Sequence, residues 1–121
     1  VKVIIAGTRS VEDYALVVQA VERSGYEITE VVSGCATGID RLGEQWARAH
    51  NVPIKEMPAD WSRYGNSAGP YRNRAMAEYA DAAIIVWDGQ SRGTRNMIEN
   101  MIRRKKPYYI AMTSTTLEDF V

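Results

Sequence analysis

Three times in this chain a short apolar run ends in a glycine-bearing turn and passes into a segment of helical periodicity. Val3-Ile4-Ile5-Ala6 leads into Gly7-Thr8-Arg9-Ser10. Val31-Val32 leads into Ser33-Gly34-Cys35-Ala36-Thr37-Gly38-Ile39-Asp40. Ile84-Ile85-Val86 leads into the turn from Gly89 to Thr94. Short, β-branched, nearly all-apolar runs read as strands covered on both faces, the pattern of a parallel sheet. In such a sheet the strand-to-helix turns lie along one edge, and helix N-termini there present free N–H groups to an anion. Together the three junctions suggest a phosphate-bearing ligand.

The rest of the chain repeats the alternation. The spacing predicts strands over 2–6, 28–33, 53–57, 82–87 and 108–112. Helices are predicted over 11–24, 40–50, 71–80 and 93–105. Ser10 is the expected N-cap of the first helix and Gly25 its stop. Leu42, Trp46 and Ala49 share one face of the second helix, and Met97, Ile98, Met101 and Ile102 form an apolar stripe on the last. Residues 59–70, rich in Gly, Ser and Asn, read as a surface lid. The expected fold is α/β: a single Rossmann-like domain over 1–121, in three layers, with a mainly parallel sheet of about five strands.

Composition narrows the function. Lys and Arg number 15, balancing 15 Asp and Glu, so a nucleic-acid partner is not expected. Cys35 stands alone and cannot form an internal disulfide, which fits the cytoplasm. With one cysteine and one histidine, His50, no metal site and no required cofactor are expected. No apolar run approaches the length of a membrane span. The tyrosine- and methionine-rich second half offers apolar surface, from which a homodimer or larger assembly is expected.

The junctions supply the candidate ligand-binding residues. Gly7 would let a ligand approach the backbone, Thr8 and Ser10 offer hydroxyls, and Arg9 offers a forked cation. The same four residues also suit a plain capped turn. Ser33, Gly34 and Gly38 allow a compact loop whose amides can cradle an anion. Asp40 can bind a ribose hydroxyl, fix the loop, or simply cap the helix. Cys35 has no neighbouring histidine to make it a nucleophile and reads as a small loop residue. Arg72 and Asn73 fall in the first turn of the predicted helix, where a cation is unfavourable without an anionic partner. That partner is either a phosphate or an acid such as Asp60. Trp61 and Tyr64 can stack on a base or pack the loop. Gly93 and Thr94 open the last helix between Arg92 and Arg95. The run Arg103-Arg104-Lys105-Lys106 reads as a solvated helix end.

Taken together, Gly7-Thr8-Arg9-Ser10, Ser33-Gly34 with Gly38-Ile39-Asp40, Asp60-Trp61 through Arg72-Asn73 to Met76, and Gly93-Thr94 resemble the YspA, cpYpsA-related branch of the SLOG superfamily. The resemblance implies a Rossmann-like fold and a nucleotide-derived ligand. It also implies that Gly7 to Ser10, Ser33, Gly34, Asp40, Arg72, Asn73, Gly93 and Thr94 line one pocket. Within the superfamily, the lonely-guy phosphoribohydrolases carry Arg-Lys-x-x-Met and Gly-Gly-x-Gly-Thr-x-Glu-Glu. Arg72 matches their arginine by its spacing to Met76, but their glutamates fall on Asn96 and Met97 here. A DNA-processing relative shares the Ser-Gly-x-Ala-x-Gly-Ile-Asp pattern of residues 33–40. The leading expectation is therefore a nucleotide-binding protein. One alternative is an N-glycosidic hydrolase or transferase in which Asp40, Asp60 or Asp88 replaces the missing acid. The other is a single-stranded nucleic-acid binder.

Overall fold

The computed structural model describes residues 1–113; residues 114–121 of the expected 1–121 unit lie outside that span. Strands and helices alternate as β1 (Lys2–Gly7), α1 (Tyr14–Ser24), β2 (Glu30–Ser33), α2 (Ile39–Ala49), β3 (Ile54–Glu56), α3 (Trp61–Tyr64), α4 (Ala68–Tyr79), β4 (Ala82–Trp87), α5 (Arg92–Arg103) and β5 (Tyr108–Met112). The strands form one sheet in the order β3-β2-β1-β4-β5, and every neighbouring pair is parallel. The chain thus adopts the expected Rossmann-like α/β fold.

Side chains alternate across the strands with period two, so each strand feeds two cores. Val3, Ile5, Val31, Ile84 and Val86 face α1 and α2, where they meet Val17, Ala20, Ile39 and Trp46. Ile4, Ala6, Val32, Ala83 and Ile85 face α4 and α5, where they meet Met76, Ala77, Met97 and Met101. Two helices on each face make the three layers. From β1 the chain winds outward through β2 to β3, then returns to place β4 on the other side of β1. The winding reverses between β1 and β4, and that reversal opens a crevice at their carboxyl ends.

Several boundaries differ from expectation. α1 begins at Tyr14 rather than residue 11, because Asp13 and not Ser10 is its N-cap, its carboxylate accepting from Ala15 N at 3.0 Å. Gly25 stops the helix in the left-handed region as expected. Within 59–70, Asp60 caps the short α3, and a 3₁₀ turn over Gly65–Ser67 runs straight into α4. α4 therefore starts at Ala68, which moves Arg72 and Asn73 into its second turn. Ile102 is 55% exposed and Ala49 is exposed, so neither belongs to the apolar stripe assigned to it. The basic run after α5 is more than solvated. Arg104 pairs with Glu78 at 3.0 Å, and the Lys106 ammonium donates to the carbonyls of Ala77, Glu78 and Ala80. Those carbonyls end α4, where a cation is favoured.

Candidate functional site

The three junctions meet at the crevice between β1 and β4, and each is tied to its neighbour. Thr8 is buried. Its N–H donates to Val86 O at 3.0 Å and its hydroxyl accepts from Asp88 N at 3.0 Å, which fastens the first junction to the third. The second junction folds down onto the first at Gly38. Its φ is +77°, and a Cβ there would lie 2.4 Å from Arg9 O. Ser33 is held from behind: its hydroxyl donates to Glu44 at 2.5 Å and accepts from Cys35 N at 3.1 Å. Glu44 is 2% exposed and takes its second partner from Arg41 at 2.9 Å.

Arg72 reaches from α4 across to the second junction. One guanidinium nitrogen, Nη1, donates to Gly34 O, and Nε donates to Asn73 Oδ1 at 3.0 Å. Asp40 lies on the other side of the same glycine. A Cβ on Gly34 would sit 2.5 Å from Arg72 Nη1 and 2.8 Å from Asp40 Oδ2, so only glycine lets the two side chains close around the backbone. Asp40 is 6% exposed and accepts from Ala36 N at 3.2 Å. Burial pushes its carboxyl up to about 6, against the pull of the Ala36 N–H and the Arg72 guanidinium. Burial also draws Arg72 below the ordinary arginine range, and the Asp40 charge partly restores it. Asn73 then bridges to α5, donating to Gly93 O at 3.0 Å and Asn96 Oδ1 at 3.1 Å.

The third junction caps itself. Asp88 accepts from Gln90 N and Ser91 N at 2.8 Å each, and those N–H groups hold its carboxyl below the usual aspartate value. Ser91 is the N-cap of α5, its hydroxyl accepting from Thr94 Oγ1 at 3.0 Å. What these contacts enclose is a cavity of about 340 Å³. Arg9, Asp40, Arg72, Asn73 and Thr94 give it a polar side, and Ala6, Pro70, Met76 and Met97 an apolar one. Half-exposed Trp61 stands at the rim, with the Arg9 guanidinium 5.9 Å from its ring centre.

The family model of the YspA, cpYpsA-related SLOG family matches residues 1–64, more than half of the chain. The chain belongs to that family. No curated protein and no solved structure matched it. Membership in the SLOG family associates the chain with nucleotide-related binding or processing. The matched span holds the first two junctions, Asp40 and Trp61. Arg72, Asn73, Gly93 and Thr94 lie beyond it, brought to the SLOG half of the cavity by the fold.

Of the expected ligand-binding residues, Gly7, Arg9, Asp40, Trp61, Arg72, Asn73, Gly93 and Thr94 line this cavity. Thr8, Ser33, Gly34 and Gly38 hold the turns in place instead, and exposed Ser10 stands outside the lining. Tyr64 stacks on Tyr71 at 4.7 Å, away from the cavity. Among the three candidate acids, Asp40 alone lines it; Asp60 caps α3 and Asp88 caps its own loop. Sequence reasoning passed over Ser91, Met76 and Met97 as cavity residues. The spacing of Ser91 to Thr94 is a capping signal that marks where α5 starts. Met97 carried only a core signal, because at the end of a core stripe a side chain faces protein and cavity alike, and Met76 marked only the spacing from Arg72.

Proposed function

We propose that the cavity binds a nucleotide or nucleotide-derived ligand, with phosphate against Arg72 and Arg9 and the base near Trp61. The observation that carries this reading is charge. Among the described residues, three arginines, Arg9, Arg72 and Arg92, line the cavity against one carboxylate, Asp40. Arg72 is largely removed from water, and its Nη2 has no protein partner among the described residues. A guanidinium so placed favours an anion that can take a forked pair of hydrogen bonds. The N-terminus of α5 faces the same space, and its dipole adds to the preference. The apolar wall suits the flat part of a nucleoside.

Calorimetric titration with nucleoside mono- and diphosphates tests the reading. Arg72→Ala is expected to weaken binding about 10- to 100-fold, the loss of a charge-assisted contact worth about 1.5–3 kcal/mol. A panel of nucleotides that does not bind, or an Arg72→Ala protein that binds them as well as the natural chain, would remove the proposal.

A second reading has one observation in its favour. A carboxyl pushed up to about 6 inside a cavity can exchange a proton near neutrality, as cleavage of an N-glycosidic bond requires. Against it stands Asn96, at the position where the hydrolase relatives carry an acid. Its Oδ1 accepts from Asn73 and Asn100, and an amide cannot act as a base. We expect the chain to release free base from nucleoside 5′-monophosphates ~10²–10⁴-fold more slowly than a hydrolase with its general base in place. Chromatography of the incubated mixture measures this. Rapid release that disappears in Asp40→Asn would make the protein an enzyme.

A further inference from the structure

α4 divides the carboxyl edge of the sheet into two cavities. Gly69, Asn73 and Met76 face the one described above, while Ala68, Tyr71 and Ala75 line a second, of about 320 Å³. These are two adjacent faces of one helix, read at spacings of three and four. Arg72 lines both. The second cavity is closed on its far side by Lys55, Glu56 and Met57 at the end of β3. Its aromatic wall is the stacked pair Tyr64 and Tyr71, with Arg63 5.2 Å from the first ring and Arg74 5.4 Å from the second.

Resting on the nucleotide reading, we propose that the ligand is a dinucleotide: two nucleosides joined through a phosphate or pyrophosphate bridge, with the bridge at Arg72 and one nucleoside in each cavity. Two observations on adjacent faces of α4 carry it. The cavities are similar in size, each has an aromatic side chain at its wall or rim, and the one residue they share among the described residues is an arginine, whose guanidinium is the group best suited to a bridging phosphate. Their charges also differ. Among the described residues the first has three arginines against one acid, whereas the second sets Lys55 and Arg72 against Glu56 and Asp60. A balanced lining with two carboxylates does not call for another phosphate. Carboxylates accept hydrogen bonds from ribose hydroxyls and from the amino groups of bases, so the second cavity suits an uncharged nucleoside. A mononucleotide would fill the first cavity and leave the second to water.

The test compares P1,P2-diadenosine and P1,P2-diguanosine diphosphate with ADP, GDP and their monophosphates, on the natural chain, Tyr71→Ala and Tyr71→Phe. Tyr71 is 48% exposed, so its replacement spares the core. One dinucleotide is expected to bind at least about tenfold more tightly than its mononucleotides, the scale of one stacked base. Tyr71→Ala should erase that advantage while leaving mononucleotide binding within about twofold, and Tyr71→Phe, which keeps the stack, should retain it. Equal affinities for mono- and dinucleotides overturn the proposal and leave the nucleotide reading standing. So does a loss in Tyr71→Ala that is the same for both. A ten-residue oligonucleotide that binds far more tightly, with steep salt dependence, also overturns it, by making the surface a strand groove. Failure of every nucleotide to bind overturns both readings.

Discussion

Asp40→Asn is expected to make the ligand-free protein more stable at pH 8, by up to about 3 kcal/mol. The folded chain holds this carboxyl at about 6, against an ordinary value of 3.8. A raised acid is a stability cost, and each unit of the difference is worth about 1.4 kcal/mol. The sign follows from proton binding. Between pH 4 and 6 the folded state holds a proton that the unfolded chain has released, so stability falls as pH rises through that window. Below it both states are protonated and the cost is absent; above it both are ionised and the cost is full. Asparagine removes the charge but keeps an oxygen to accept from Ala36 N, now at 3.2 Å. The value of about 6 already includes the attraction to Arg72 and Arg9, so about 3 kcal/mol is the most that removing the charge can return. Urea unfolding of both proteins at pH 8 and at pH 4 measures the effect: a gap at pH 8 that closes at pH 4. An asparagine variant no more stable than the natural chain at pH 8 would show that the carboxylate is fully compensated in place. A group held at such a cost, in the lining of a cavity, fits a role in binding or proton transfer rather than in stability.

Gly38→Ala is expected to have the opposite and larger effect, a loss of more than about 3 kcal/mol. At φ +77° and ψ −129° the backbone occupies a region that only glycine enters without strain, in itself a cost of about 1–3 kcal/mol. The added Cβ would also lie 2.4 Å from Arg9 O and 2.6 Å from Thr8 O. Both contacts are with backbone, so no side chain can turn aside. Either the second junction lifts off the first or α2 shifts, and both movements carry Asp40 away from Arg72. For a domain of this size the melting temperature should fall by at least about 10 °C, and nucleotide affinity should fall with it. Gly93→Ala is the control. A Cβ there meets nothing within 4 Å, and alanine favours the helix by up to about 1 kcal/mol. A Gly38→Ala protein that melts within a few degrees of the natural chain would mean that the two turns do not depend on each other.

The order of apolar runs and turns is enough to lay out the sheet and the edge on which the cavity lies. β4 falls where its apolar run places it, since a short, wholly apolar run between turn residues has few other ways to be buried, and β5 falls where its aromatic run places it, on the edge of the sheet. The three glycine turns were equally legible, because strand-to-helix turns in a parallel sheet have one edge to occupy. Helix starts were less so. Ser10 and Asp13 are both good caps, and the folded chain uses Asp13, whose carboxylate accepts from Ala15 N. The 3₁₀ turn before Ala68 lengthened α4 backwards and took Arg72 out of the first turn, so the helix dipole is not what calls for its anionic partner. What holds Arg72 is Gly34, 38 residues away, and what holds Asn73 is Gly93, 20 residues away. Neither pairing leaves a mark in the local pattern, because side-chain direction depends on how α4 docks against the sheet. Glu44 shows the same limit. On α2 it reads as a surface acid, yet the fold buries it against the hydroxyl of Ser33. Periodicity and turn chemistry act over a few residues and are written locally. Burial, the pKa of Asp40 and the sharing of Arg72 between two cavities arise only when distant segments meet, and the tertiary structure alone decided them.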